Sequence, residues 1–177
     1  MGRGRRAFAA WLAMSVLPAC AGAISRAEFD SIVQARGGGV SVASFAEVTD
    51  TLRGEVGADP IVRRAFFGVN PTYGSFSLQL GPGIVDDYVI YGRDVRSVRP
   101  QRDPDEQPTV RLSEVPIDRF EAMADEALAY AGIPGGYVEY ISVQLSLRRI
   151  TFAVESARAT ARVEFDFHGE LQEVQRR

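Results

Sequence analysis

The chain has 177 residues, 46% of them hydrophobic and 24% charged, which indicates a folded protein with a core and argues against a disordered one. All 20 basic residues are arginines, and with 23 acidic residues the net charge is −3, which argues against a nucleic-acid partner. One histidine and one cysteine are too few for a zinc or copper site of ordinary composition.

The amino terminus has the pattern of a bacterial export signal. Three arginines precede an apolar run from Ala7 to Leu17, which is shorter than the roughly 20 residues that a spanning helix needs. Leu17-Pro18-Ala19-Cys20 resembles a lipobox, which implies cleavage before Cys20 and acylation of its thiol and new amino group. The alternative is ordinary signal-peptidase cleavage after Ala19-Cys20-Ala21. We therefore expect residues 1–19 to be a signal peptide and the mature protein to be lipid-anchored outside the cytoplasmic membrane, or else secreted.

An amino-terminal unit of helices and a hairpin is predicted over residues 20–99. Capping boxes at Ser25 with Glu28 and at Ser44 with Glu47 begin two helices, which glycines end at 37–39 and at 57. Alternating apolar and polar residues from 75 to 80 indicate a half-buried strand, and residues 88–91 its hairpin partner.

Residues 100–111 are predicted to form a linker, because the segment from Pro100 to Pro108 has three prolines and no apolar side chain. Just before it, arginines recur every third residue at positions 93, 96, 99 and 102. This spacing fits either a solvated loop balanced by nearby acids, which we favour, or one side of an extended polyproline-like segment.

A carboxy-terminal unit is predicted over residues 112–177. Apolar residues at helical spacing from Ile117 to Ala131 indicate a helix. Strands follow at 137–145, 149–155 and 160–167, and Leu171 to Val174 adds a fourth in one interpretation. Alternation in two of these strands predicts an inward set and a solvent-facing set. The inward residues are Ile150, Phe152, Val154, Ala161, Val163, Phe165 and Phe167, and the outward ones Arg149, Thr151, Glu155, Arg162, Glu164 and Asp166.

The expected fold class is α+β, with helices packed on one face of antiparallel sheet and with two helix-plus-meander units as one arrangement. The segment Phe120 to Ala131 followed by Ile150 to Val163 and Phe165-Asp166-Phe167-His168-Gly169-Glu170 resembles modules of the PepSY and beta-lactamase-inhibitor type. Ser25-Arg26-Ala27-Glu28-Phe29-Asp30 and Arg36-Gly37-Gly38-Gly39 are similar to actinobacterial lipoproteins of unknown function, a likeness that implies no activity.

No catalytic, cofactor-binding or metal-binding residue is predicted. His168 lies in a turn without an orienting partner, and Asp86 and Asp87 are neighbours on a strand and so point to opposite faces. The tyrosines are the one set of candidate binding residues, because tyrosine is enriched in binding surfaces as well as in strands: Tyr73, Tyr88, Tyr91, Tyr137 and Tyr140.

These observations favour a non-enzymatic binding or interaction module at the cell envelope, tethered to the membrane through Cys20 and contacting an envelope protein or lipid. One alternative is a secreted or tethered inhibitor or regulator of an extracellular enzyme, and another is an envelope hydrolase that uses carboxylates. An exposed tyrosine-rich sheet would favour binding to a protein, an apolar cavity would favour lipid, and acids converging in a cleft would favour an enzyme.

Overall fold

A computed structural model of the protein describes residues 40–69, 71–102 and 108–177. In these residues two α-helices and nine strands form one α+β unit dominated by antiparallel sheet. The elements are α1 (Val42–Val56), β1 (Ile61–Val69), β2 (Thr72–Gly81), β3 (Ile84–Tyr91), β4 (Asp94–Arg102), β5 (Val110–Arg111), α2 (Phe120–Ala131), β6 (Tyr137–Gln144), β7 (Arg149–Glu155), β8 (Thr160–Asp166) and β9 (Leu171–Arg176).

The sheet consists of two meanders joined at their first strands. Its strand order is β4-β3-β2-β1-β6-β7-β8-β9, and β5 pairs with the start of β1. Each helix precedes one four-stranded meander, and β1 lies antiparallel to β6 from the pair Ala65–Val143 to the pair Gly68–Tyr140. The helix-plus-meander arrangement therefore occurs twice, and the two units share a single sheet.

Helix α1 begins three residues earlier than the sequence indicates. Ser41, not Ser44, is the N-cap residue, and its side chain accepts a hydrogen bond from the Ser44 backbone amide at 3.4 Å. Phe45, Val48 and Leu52 form the buried stripe of the helix, as their spacing predicts. The predicted helix over residues 25–36 lies outside the described residues.

Helix α2 is the predicted second-unit helix with a modified first turn. Residues Ile117–Arg119 form a 3-10 turn, and the α-helix starts at Phe120. It ends at Gly132, whose φ of 60° is the left-handed conformation that glycine adopts at low cost. The Arg176 side chain in β9 donates hydrogen bonds to the carbonyl oxygens of Ala131 at 2.9 Å and Tyr130 at 2.7 Å, so the last strand holds this helix end.

One core lies between the helices and the sheet and extends through both units. Its centre is Phe120, whose ring is edge-on to the rings of Phe45, Phe67 and Phe152 at centroid distances of 6.0, 5.3 and 6.1 Å. Phe152 in turn contacts Phe165 at 5.7 Å. The predicted inward set is confirmed, because all seven of its members are buried. Of the predicted outward set, Arg162 is exposed, but Thr151 is only 4% exposed although it lies on the outward side of β7, flanked by Ser142 and Glu164.

Three strands of the structure were not predicted from the sequence: β4, β5 and β1. Residues 94–102, which we expected to be a solvated loop leading into a linker, form β4 and pair with β3, so Pro100 to Arg102 are strand residues. At the other end of the predicted linker, Val110–Arg111 pair with β1 as β5. Strand β1 was not predicted at all, because a bulge between Val62 and Arg64 interrupts its alternation.

Candidate functional site

The face of the sheet turned away from the helices is the candidate site. We call it the outer face. Strand pairing aligns its residues in rows that cross the sheet. One row runs through Tyr73, Gly68, Tyr140, Ala153, Arg162 and Gln175, and the next through Val89, Ser75, Phe66, Ser142, Thr151 and Glu164.

Four aromatic rings from four strands form a continuous stack on the outer face, which we call the aromatic ladder. Tyr91 on β3 stacks on Tyr73 of β2 at a centroid distance of 5.2 Å and an interplanar angle of 26°. Tyr73 contacts Phe66 of β1 at 5.8 Å, and Phe66 stacks on Tyr140 of β6 at 4.9 Å. The ladder therefore crosses the junction of the two meanders.

Gly68 makes room for this stack. It lies in register between Tyr73 on one side and Tyr140 on the other. A Cβ added at Gly68 would lie 2.0 Å from Cε1 of Tyr73, so the ring covers the place that a side chain would occupy. An aromatic ring laid over a strand glycine is a recognised way to fill such a gap, and packing of the sheet itself accounts for part of the ladder.

The ladder presents ring edges rather than ring faces. Tyr73 is stacked between Tyr91 and Phe66, and the guanidinium of Arg96 lies 5.6 Å from the centroid of the Tyr91 ring. Sugars and nucleic-acid bases stack on open ring faces, and most ring faces here are already covered. Burial, with the neighbouring Tyr91 and Glu139, raises the pKa of Tyr73, so its hydroxyl stays protonated and remains a hydrogen-bond donor.

A groove of about 380 Å³ opens at one side of the ladder, between β1 and β6. Phe66 belongs to both features. The remaining lining consists of Arg63, Arg64, Ala65, Pro108, Ser142, Val143, Gln144, Leu145 and Ser146. This groove therefore combines two arginines and an aromatic ring, and none of the described residues that line it is acidic.

A smaller cavity of about 110 Å³ lies at the other side of the ladder, next to Tyr140. Glu139 and Glu155 line it together with Arg162. Burial, followed by the hydrogen bond and the charge of Glu155, raises the pKa of Glu139. Two neighbouring acids, one with a raised pKa, are the pattern an acid–base enzyme would use, but Glu139 is exposed on the open sheet, where its carboxyl is only partly desolvated, rather than enclosed in a cleft.

The predicted tyrosines divide between the two sides of the sheet. Tyr73, Tyr91 and Tyr140 belong to the ladder, whereas Tyr88 is buried on the helix side. Tyr137 begins β6 and pairs with Glu155. Cys20 lies outside the described residues.

The other candidate residues for chemistry occupy structural positions. Asp87 accepts a hydrogen bond from the Ser77 hydroxyl on the outer face, and Asp86 holds the adjacent β3 position, which faces the helices. His168 is exposed in the turn between β8 and β9, where its amide donates to Asp166 at 2.8 Å. Among the described residues no group of three histidine, cysteine or acidic side chains is placed to hold a metal ion.

Phe66 is the ladder residue that sequence reasoning missed. Phe66 lies between Ala65 and Phe67, and this apolar run has no alternation that would assign its residues to faces. In the structure Phe67 is buried in the core and Phe66 faces outward, which the sequence alone does not show. The available signal was Gly68, since a glycine within an apolar run often marks a close approach by another group.

Comparison of the chain with protein-family models, with curated proteins and with solved structures finds no match. No helix in the part of the chain that the structure describes is long and apolar enough to cross a membrane.

Proposed function

We propose that the protein is an exported, non-catalytic binding module of the cell envelope, and that a protein partner docks on the aromatic ladder. In this proposal Cys20 carries the lipid that holds the module at the outer side of the cytoplasmic membrane. The observation that carries the proposal is the ladder itself, which places three tyrosines and a phenylalanine at the centre of a face whose other residues are mostly polar.

Protein interfaces are enriched in tyrosine, because one rigid side chain supplies apolar contact area and a polar hydroxyl at low entropic cost. The ladder rings are already ordered by one another, so docking would immobilise few additional side chains. Gln, Ser and Thr side chains around the ladder, among them Ser75, Ser142 and Gln175, supply a polar rim.

A protein partner fits the structure better than a lipid held inside the fold. The space between the helices and the sheet is filled by the phenylalanines of the core, each of which has at most 1% of its surface exposed: Phe45, Phe67, Phe76, Phe120, Phe152 and Phe165. The exposed aromatic face also favours the narrower alternative, an inhibitor or regulator of an extracellular enzyme, and identification of the partner separates the two.

Site-specific photo-crosslinking in the source cells tests the proposal. A benzophenone amino acid replaces Tyr91, which is 37% exposed in the ladder, or Tyr130, which is 43% exposed on α2. We expect a discrete protein adduct from position 91 and none of the same mass from position 130. The adduct should be lost when Tyr73→Ser is added, because this change removes the adjacent ring but leaves the photo-reactive group in place.

Thermal melts of each variant show whether it is folded. Identical adducts from positions 91 and 130, or a position-91 adduct that survives Tyr73→Ser in a folded protein, would contradict docking on the ladder.

A further inference from the structure

The groove between β1 and β6 combines positive charge with an aromatic wall. Arg63, only 7% exposed, forms part of its lining, and Arg64 is exposed at its mouth. Phe66 contributes the aromatic side, and it is also the ladder ring that stacks on Tyr140. The groove and the ladder are therefore one continuous surface.

Arg64 differs from two other arginines of this sheet because no carboxylate of the described residues pairs with it. Arg149 pairs with Glu164 at 3.2 Å, and Arg96 with Asp94 at 2.7 Å. Arg64 makes no ion pair within the described part of the chain. Its guanidinium is thus available to an anionic group that enters the groove.

We propose that this groove receives a carboxylate side chain of the docked protein, held by Arg64 while a neighbouring apolar side chain of the partner contacts Phe66. This inference rests on the proposed function and names the chemistry of its partner. A guanidinium presents a planar fork of donors that matches the two oxygens of a carboxylate. Ser142 and Gln144 in the lining supply further hydrogen-bonding groups.

The charge of the whole outer face favours a protein over an extended anionic surface. Asp87, Glu139, Glu155 and Glu164 lie on the same face as Arg64, Arg149 and Arg162, so this face carries both signs of charge. A membrane of anionic lipid or a nucleic acid would bring negative charge against these acids as well as against Arg64. A single aspartate or glutamate on a protein loop would contact the groove alone.

The probe is 3-phenylpropionate, which carries one carboxylate and one ring, and its neutral amide serves as the matched compound. Both are titrated at low ionic strength into residues 20–177 bearing Cys20→Ser, a segment that includes every residue the structure describes, and backbone amide shifts are followed by NMR. We expect the carboxylate to shift Phe66 and Ser142. Arg64→Gln should weaken its binding about fivefold, the upper end for an exposed ion pair. Arg162→Gln is the control, because Arg162 is also exposed on this face but lines the cavity at the other side of the ladder.

Equal binding of 3-phenylpropionate and its amide would overturn the carboxylate assignment. So would an Arg162→Gln variant that weakens binding as much as Arg64→Gln does. Binding of phenyl phosphate at least about tenfold more tightly than 3-phenylpropionate would overturn it as well. The assignment would also be overturned if 3-phenylpropionate bound only after Asp103→Asn, Asp105→Asn and Glu106→Gln were combined, because the chain's own acidic residues would then occupy the groove. None of these results affects the photo-crosslink at position 91, so failure of this inference is distinguishable from failure of the proposed function.

Discussion

Gly68 is the position at which a single methyl group tests the ladder. In Gly68→Ala the new Cβ would lie 2.0 Å from Cε1 and 2.4 Å from Cδ1 of Tyr73, far inside contact distance. The backbone of β1 is paired on both sides and cannot move away, since β2 and β6 flank Gly68. The Tyr73 ring must therefore rotate toward solvent and leave its contacts with Phe66 and Tyr91.

The expected cost follows from the contacts that are lost. Two aromatic pairs, each contributing about 0.5–1.5 kcal/mol beyond area burial, represent about 1–3 kcal/mol. Replacement of a strand glycine by alanine recovers about 0.5–1 kcal/mol of backbone entropy. The net change is a loss of about 1 kcal/mol in the free energy of unfolding, within a range of about 0–2.5 kcal/mol.

Gly54→Ala is the matched control, because a Cβ there meets nothing within 4 Å and the residue lies in α1. It should stabilise the protein by about 0.5–1 kcal/mol. Urea melts of the two variants should therefore shift the midpoint in opposite directions. A Gly68→Ala variant as stable as Gly54→Ala would refute the placement of the Tyr73 ring over β1.

Three further results are expected. Phe120→Ala and Phe152→Ala should each lower the free energy of unfolding by about 3–5 kcal/mol, out of about 5–15 kcal/mol for a whole domain. Arg162→Ala on the outer face should change it by less than about 0.5 kcal/mol. Denaturant melts measure all three, and equal destabilisation by all of them would contradict the register of β8. Burial and Glu155 raise the pKa of Glu139 above its ordinary value of 4.5. The protonated carboxyl therefore stabilises the fold at pH values below 4.5, and this stabilisation is lost as the pH rises through the raised pKa. Glu139→Gln should therefore raise Tm at about pH 7 but not at about pH 4, and a Tm raised equally at both would show that the carboxyl charge is not the cause. Mass spectrometry of the protein from its native envelope should find an acylated Cys20 at the amino terminus; an unacylated terminus at Gly22 would contradict the lipid anchor while agreeing with export.

The second unit could be predicted from sequence because its strands obey a strict period of two. Residues 149–155 are β7 with the expected bounds, and Val163 and Arg162 lie on opposite faces of β8. Here each inward position is apolar and each outward position except Ala153 is polar, so one face of the sheet can be read directly from the chain.

The first unit was harder because local features hide its strands. The bulge at Val62 to Arg64 breaks the alternation of β1. Strand β4 contains Pro100, which has no N–H to donate to a neighbouring strand and is tolerated because β4 lies at the edge of the sheet. The division of the tyrosines also depends on register. Tyr88 and Tyr91 are three residues apart on one strand and so face opposite sides. The ladder could not be predicted, since it requires knowing that β1 pairs with both β2 and β6.

Footprinting of two tyrosines tests the central claim most directly. Tyr91 in the ladder and Tyr130 on α2 have similar exposed fractions, 37% and 43%, so both should react to a similar extent with a tyrosine-modifying reagent in the purified protein. In intact envelopes the account predicts that Tyr91 becomes protected while Tyr130 remains reactive, because only the outer face carries the partner. Equal modification of the two tyrosines in envelopes, or protection of Tyr130 alone, would contradict a docking site on the ladder.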